Sequence, residues 1–125
     1  MAAASPAPTP TLFVGVDVAA ASATVATLVP GTPVSRPFTI PQTTHGYVSL
    51  QQRLLSLGHP ASSVLVVMEA TGPYWITLAT TLASAGFGVS VINPFQAHHF
   101  AKALLKRAKT DAVDAHTLAR LAALL

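Results

Sequence analysis

Residues 64–68, with the sequence VLVVM, constrain the fold of this chain more than any other segment. They form an unbroken apolar run, without the alternation of apolar and polar residues that marks a strand with one face in water. Such a run is typical of a central strand covered on both faces, as in sheets with helices packed on each side. The segment therefore predicts an α/β domain, and 125 residues suffice for one domain of that type.

Three extended segments come before this strand and predict an antiparallel meander. Residues 12–18 are apolar apart from Asp17, residues 23–29 alternate, and the turn-rich sequence PGTP leads into a third segment at 34–40. Thr43 or Thr44 then caps a predicted helix. Its apolar residues recur at helical spacing up to the stop signal at Gly58, and they are Tyr47, Leu50, Leu54 and Leu57.

Helices and one more strand follow the central strand. Pro73 begins a second predicted helix, which ends at Gly86. The sequence GVSVIN predicts a short strand, after which Asn93 caps a third helix that runs to about Lys109. A last helix is predicted to start near Asp111 and to bury one stripe of residues, namely Leu118, Leu121 and Leu125. The predicted fold class is α/β, with a mixed sheet that opens on a three-strand meander and is flanked by helices.

The composition excludes several classes of protein. No stretch approaches the roughly 18 to 20 consecutive apolar residues of a membrane span, so no membrane partner is expected. The absence of cysteine excludes disulfides and thiolate metal sites, which fits a cytoplasmic protein. Residues 1–10 are rich in Ala and Pro and lack the features of a secretory signal, so they are predicted to be a flexible tail before a single domain at 11–125.

Basic residues are concentrated in the last quarter of the sequence. The net charge is +3, and five of the seven Lys and Arg residues fall there, namely Lys102, Lys106, Arg107, Lys109 and Arg120. Basic groups near carboxylates favour a polyanionic partner, because they neutralise phosphates while a cation bridges the acids to the same ligand. Lys102, Lys106 and Lys109 share roughly one helix face with Arg107 nearby, so these four are predicted to bind nucleic-acid phosphates. The alternative is an ordinary solvated helix face.

The chain has only four acidic residues, and all of them lie at predicted strand ends or at a helix start. Asp17 and Glu69 each follow an apolar strand. If those strands are parallel neighbours, their carboxyl ends open onto one crevice, where ligands of open α/β sheets bind. Asp111 and Asp114 are three residues apart at the start of the last helix and so share one of its faces. The four acids are therefore predicted to form one site.

A set of converging carboxylates needs a counter-charge. Two carboxylates about 4 Å apart repel by roughly 1 kcal/mol in water and by more when partly buried. Mg²⁺ suits such a site, because it prefers hard oxygen ligands and keeps waters and substrate phosphates in its shell, and Mn²⁺ can substitute for it. In the alternative interpretation, Asp111 is only an N-cap with Asp114 at N3, and Asp17 and Glu69 are unrelated surface acids.

Residues after Glu69 add a secondary prediction. Thr71 and Gly72 come just before the predicted helix start, where free backbone N–H groups hold phosphates, although a plain turn explains them as well. The helical spacing of Trp75 favours a place in the core over stacking on a base. His98 and His99 are adjacent and point in different directions, so neither is predicted to bind the metal.

The motifs GVDV at 15–18, EATGPY at 69–74, INP at 92–94 and KTDAVDA at 109–115 occur in an order that resembles a known family. They are similar to the N-terminal RuvC-like domain of the DEDD insertion-sequence transposases, a group that includes Piv-type invertases and bridge-RNA-guided recombinases. The resemblance implies a ribonuclease H-like fold. It also implies that the catalytic D, E, D and D positions of the family are Asp17, Glu69, Asp111 and Asp114.

The resemblance further implies a DNA recombinase that cleaves and transfers DNA strands with Mg²⁺ in the bacterial cytoplasm. The family excises and inserts DNA elements, uses a guide RNA and acts as a homo-oligomer. A C-terminal domain with an attacking serine is absent from this chain, so the chain alone is expected to be incomplete. A structure-specific junction nuclease and a non-catalytic nucleic-acid-binding module with a structural metal stay open as alternatives. An ATPase of the actin type is disfavoured, because Val18 and Ala19 stand where glycine admits phosphates.

Overall fold

The computed structural model describes residues 9–105 and 114–124 of the chain. Five strands and four α-helices lie within these ranges. The strands are β1 (Leu12–Val18), β2 (Ser22–Leu28), β3 (Phe38–Pro41), β4 (Val64–Glu69) and β5 (Gly88–Ile92). The helices are α1 (Thr44–Leu55), α2 (Ile76–Ser84), α3 (Pro94–Leu105) and α4 (Ala115–Leu124), and a short 3₁₀ turn (Ala61–Ser63) precedes β4.

The strands form one mixed sheet in the order β3-β2-β1-β4-β5. β1, β2 and β3 are an antiparallel meander, and β1, β4 and β5 are parallel. The predicted mixed sheet with an opening meander is therefore confirmed. In the described ranges no helix has the length and hydropathy needed to cross a membrane.

Helices cover both faces of the sheet. On one face, Val14 and Val66 pack against α1 and α2. On the other face, Phe13 and Val67 pack against α3 and α4 through Ala97, Leu118, Leu121 and Ala122. Val66 and Val67 are neighbours in β4 and both are fully buried, which confirms that this strand is central and covered on each side.

Capping side chains fix two helix starts where the sequence predicts them. The Thr43 hydroxyl accepts a hydrogen bond from the Gly46 amide at 3.0 Å, and the Asn93 side chain accepts one from the Gln96 amide at 2.7 Å. Each bond satisfies an amide that has no partner inside its helix. Both predicted caps are confirmed.

Several predicted boundaries differ from those observed. β3 begins at Phe38 rather than at residue 34, because Pro33 and Pro37 have no amide hydrogen for a ladder. Leu57, which the helical spacing placed in the first helix, lies beyond the end of α1 at Leu55 and is 48% exposed. α2 begins at Ile76 after a turn rather than at Pro73.

The last helix also begins later than predicted. α4 starts at Ala115, four residues after Asp111. Leu118 and Leu121 are buried as predicted. The predicted tail up to residue 8, the predicted end of the third helix near Lys109, and Leu125 lie outside the described residues.

Gly15 allows α4 to lie directly on β1. A Cβ atom at this position would overlap the backbone of Ala115 and Ala119 and would lie 2.7 Å from the carbonyl carbon of Leu118. Only glycine permits this close approach of helix to strand. The N-terminus of α4 is thereby held against the carboxyl-terminal half of β1.

Candidate functional site

Asp17 and Glu69 occupy matching positions on neighbouring parallel strands. The register pairs Val16 of β1 with Met68 of β4, and each acid is the next residue along its strand. Side chains alternate between faces, and Val16 and Met68 both point into the core beneath α1 and α2. The two acids therefore lie on the opposite face, under α3 and α4, at the carboxyl ends of their strands. This side-by-side placement is the one predicted from the sequence.

Asp114 is the N-cap of α4. Its Oδ1 atom accepts a hydrogen bond from the Thr117 amide at 2.8 Å, and its carbonyl accepts one from the Leu118 amide at 3.0 Å. The alternative that placed Asp114 at N3 is therefore wrong. Because α4 rests on Gly15, two residues before Asp17 on the same face, its N-terminus brings Asp114 toward the acid pair.

The pKa of Asp17 reflects the proximity of the other two acids. The pKa of its carboxyl group is raised above the ordinary value of 3.8, first by burial and then by the negative charges of Glu69 and Asp114. The side chain keeps contact with solvent, but the surrounding protein removes part of its hydration. Three of the four predicted site acids thus share one electrostatic environment.

The chemistry of these donors fits a hard divalent cation. Carboxylate oxygens are the ligands that Mg²⁺ and Mn²⁺ prefer, and a cation would neutralise the charges of Glu69 and Asp114 that, after burial, raise the pKa of Asp17. Within residues 9–105 and 114–124, no group of three or more Asp, Glu or His side chains is arranged so that it could hold a metal ion by itself. Asp111, the fourth predicted ligand, lies outside the described residues.

Three of the four basic residues predicted to bind phosphates also lie outside the described ranges. Lys106, Arg107 and Lys109 belong to this group. Lys102 is described, and it is exposed near the end of α3, where it lines a surface pocket with Phe95.

Thr71 and Gly72 do not begin a helix. Both are exposed in the turn between β4 and α2, and Gly72 has a positive φ of 58°. The amide of Thr71 donates to the Glu69 carbonyl at 2.9 Å, so it is engaged within the turn. The prediction of a free Thr71 amide at a helix start is wrong, because α2 begins only at Ile76.

His98 is a neighbour of the site that the sequence pattern did not predict. Its Nε2 atom lies 3.4 Å from Oε1 of Glu69, whose side chain is 14% exposed. The position of His98 in the sequence could have predicted this contact. His98 is in the second turn of the helix that follows β5, and β5 pairs with β4 so that Ile92 is opposite Glu69.

We expect His98 to orient the Glu69 carboxylate. Loss of a polar neighbour that contacts a metal ligand typically lowers metal affinity by about 10- to 100-fold. His98→Ala should therefore weaken Mn²⁺ binding by about tenfold, and His98→Gln should preserve more of it because the amide keeps a polar group next to Glu69. Isothermal titration calorimetry measures the change, with His45→Ala on α1 as the control. Tighter binding by His98→Ala would contradict an orienting role.

A glutamine side chain joins the two loops that follow the acid-bearing strands. Nε2 of Gln42 donates to the carbonyl of Ala19 at 2.8 Å and to that of Tyr74 at 2.9 Å. Its Oε1 atom accepts from the Tyr47 hydroxyl at 2.6 Å. The loop after β1 and the turn after β4 are therefore fastened to α1 and to each other beside the acids.

Comparison with protein families identifies one match over nearly all of the chain. The IS110-type DEDD family, described as transposase, matches residues 14–124. This range contains all four acids and the whole sheet apart from the first two residues of β1.

Two curated relatives are pilin gene-inverting proteins. Those of Moraxella lacunata and Moraxella bovis are each 39% identical to this chain over 75 residues. The alignment covers 60% of this chain but 23% of either relative, so the chain spans less than a quarter of their length.

A solved structure shares the fold. The Holliday junction resolvase of fowlpox virus matches with a TM-score of 0.54 at 16% identity, over 91% of this chain and 99% of that one. At this identity the likeness concerns the fold alone, and it confirms the predicted ribonuclease H-like, RuvC-like architecture.

Proposed function

We propose that this chain, which belongs to the IS110-type DEDD transposase family, forms the metal-binding half of a DNA recombinase active site. The observation that carries the proposal is the placement of Asp17 and Glu69 side by side on one face of the sheet. The N-terminus of α4 adds Asp114, whose charge contributes to the raised pKa of Asp17. Membership of a transposase family supports DNA as the substrate.

Asp17, Glu69 and Asp114 would hold Mg²⁺, and Asp111 is proposed as the fourth carboxylate. When bound, the ion would stabilise negative charge on the phosphate oxygens during strand cleavage. The protein supplies the geometry. The β1–β4 register sets the spacing of the first two acids, and the cap of α4 fixes the third.

Other residues are proposed to position the DNA and the ligands. His98 holds Glu69 from the α3 side, and Gln42 fixes the two loops at the rim. Lys102 is proposed to bind a backbone phosphate, together with Lys106, Arg107 and Lys109. These contacts would hold a DNA strand over the carboxylates.

Further elements of the proposal concern the whole recombinase. We infer a C-terminal domain that supplies an attacking serine, a guide RNA that selects DNA, and a homo-oligomer that brings two DNA ends together. We also propose that the recombinase acts in the bacterial cytoplasm, where its DNA substrate lies. The family resemblance supports these inferences.

A recombination assay with metal substitution tests the proposal. A recombinase that contains this domain and the serine domain should recombine its DNA element in Mg²⁺ or Mn²⁺ and lose activity in EDTA. Activity should return when Mg²⁺ is restored. Glu69→Gln should abolish strand cleavage while leaving DNA binding intact in an electrophoretic mobility-shift assay.

Two results would contradict the catalytic role. Full activity in EDTA would exclude a metal-dependent site, and unchanged recombination by Glu69→Gln would exclude this carboxylate from catalysis. In either case a non-catalytic, nucleic-acid-binding role for the domain would be favoured.

A further inference from the structure

An aromatic and basic pocket lies on the exposed side of α3. Its cavity volume is about 170 Å³, and Phe95, His98, His99 and Lys102 line it. The Phe95 and His99 rings stack, with centroids 5.9 Å apart and planes inclined by 15°. Phe95, His99 and Lys102 are spaced by four and three residues, so they share one helix face. The pocket therefore presents flat ring surfaces beside a cation.

Packing within the domain does not account for Phe95. It is 78% exposed, whereas Ala97 of the same helix is buried against Leu118 on the side that faces the sheet. Of the large apolar side chains whose exposure the structure describes, Phe95 has the largest exposed fraction. A bulky aromatic ring left in water beside a lysine indicates a ligand with a flat apolar part and a negative charge.

The pocket borders the candidate metal site. His98 lines the pocket, and the same ring lies 3.4 Å from Glu69. The pocket and the carboxylates are thus separated by one histidine side chain. A nucleotide whose phosphate lies near the carboxylates therefore has its base within reach of the Phe95–His99 rings.

We propose that this pocket binds one unpaired nucleobase of a DNA strand, with the base stacked on the Phe95–His99 rings and a neighbouring phosphate at Lys102. The proposal rests on the proposed function for the choice of DNA as the ligand. Stacking requires an exposed face of the base, which a base inside a continuous duplex does not offer. The domain would therefore prefer single-stranded or locally unpaired DNA.

A nucleotide matches the pocket better than a protein segment does. One ring pair offers too little apolar area to anchor a protein interface, which typically buries about 800 Å² on each partner. The nearby Glu69 also disfavours an acidic peptide. A base is uncharged and flat, and the only negative charge of the nucleotide lies on the phosphate, toward Lys102.

Fluorescence anisotropy with labelled DNA tests the inference on this chain. The probes are an oligothymidine and a blunt duplex of equal length, titrated in EDTA so that the result does not depend on a bound metal. Because stacking contributes about 1 to 3 kcal/mol per base, Phe95→Ala should weaken oligothymidine binding by about fivefold or more. Its effect on duplex binding should be less than twofold. Phe95→Trp should retain tight oligothymidine binding, because indole offers a larger stacking surface.

Two control variants separate stacking from other effects. Leu55→Ala removes a 46% exposed apolar side chain at the end of α1, on the other face of the sheet, and should change neither affinity. Lys102→Gln should weaken single-stranded and duplex binding alike and lower the salt dependence of both, because it removes a phosphate contact.

Some outcomes would overturn the inference. They are unchanged oligothymidine binding by Phe95→Ala, equal losses for the two DNAs, and a change of oligomeric state by Phe95→Ala in size-exclusion chromatography. The last would show that the ring contacts another protein chain. These outcomes leave the proposed function untouched, because that function is tested by Glu69→Gln and metal removal. Conversely, recombination that depends neither on metal nor on Glu69 would overturn only the proposed function, provided that Phe95→Ala still weakens oligothymidine binding.

Discussion

Asp17→Asn is expected to weaken Mn²⁺ binding by this chain more than any variant outside the acid cluster. The change removes one proposed carboxylate ligand and one negative charge while preserving side-chain volume. Its effect should exceed the roughly 10- to 100-fold loss that follows removal of a partner behind a ligand. Isothermal titration calorimetry or electron paramagnetic resonance of free Mn²⁺ measures this affinity.

The same variant should be more stable than the wild type when no metal is present. Burial and the charges of Glu69 and Asp114 raise the pKa of Asp17, so its ionised form destabilises the folded state. Protonation of Asp17 therefore contributes stability that is fully present below its unfolded pKa and is lost as the pH rises through the raised folded pKa. Asparagine cannot ionise. Its advantage should appear above about pH 4, and it is worth about 1 kcal/mol or less because the site is open to solvent.

Weaker Mn²⁺ binding together with higher stability of Asp17→Asn would distinguish a metal site from a structural role of this carboxylate. Thr39→Ala alters an exposed side chain two strands away on the same sheet face and should change neither quantity. Thermal unfolding in EDTA at pH 7 gives the stability difference. A less stable Asp17→Asn protein with unaltered Mn²⁺ affinity would show that Asp17 serves the fold and not a metal.

Gly15→Ala is expected to give the largest loss of stability of any single methyl addition in β1. The new Cβ would overlap the α4 backbone at Ala115 and Ala119, and a helix backbone cannot rotate away as a side chain can. We expect a loss of about 3 kcal/mol, at the upper end of the usual range for overpacking, and a fall in Tm of roughly 10 to 20 °C. Because α4 must move, Mn²⁺ affinity should fall as Asp114 leaves the acid pair.

Gly31→Ala is the matched control for this change. Gly31 has a φ of 87°, and no heavy atom outside its chain neighbours lies within 4 Å of the position that a methyl group would take. Alanine there meets only the backbone cost of the left-handed region, which is about 1 to 2 kcal/mol, and metal affinity should not change. Equal losses of stability in the two variants, with unchanged Mn²⁺ affinity in both, would contradict the close approach of α4 to β1.

The parts of the fold that the sequence predicts are those set by local patterns. The unbroken run before Glu69 predicts a strand buried on both sides, and the observed burial of Val66 and Val67 agrees. Thr43 and Asn93 predict helix starts because the hydrogen bonds of a cap join residues close in sequence. Placement of Asp17 beside Glu69 follows from strand ends, once the two strands are parallel neighbours.

The features that the sequence does not predict depend on contacts between distant segments. His98 approaches Glu69 only because β5 pairs with β4 and so sets the position of α3. The late start of α2 arises in the turn after Glu69, where the Thr71 amide is already bonded to the Glu69 carbonyl. A glycine inside a strand, such as Gly15, indicates that another backbone lies close to it, but only the packed structure shows that this backbone is α4.

The pairing of β1 with β4 also limits which insertions and deletions these two strands tolerate. Insertion of one residue between Leu12 and Asp17 would turn the carboxylate to the opposite face, into the core beneath α1 and α2. Insertion of two would restore the face but carry Asp17 about 6.6 Å past Glu69. Single insertions and deletions that preserve the site are therefore confined to the loops, and a two-residue change within β1 preserves it only when β4 changes by the same two residues.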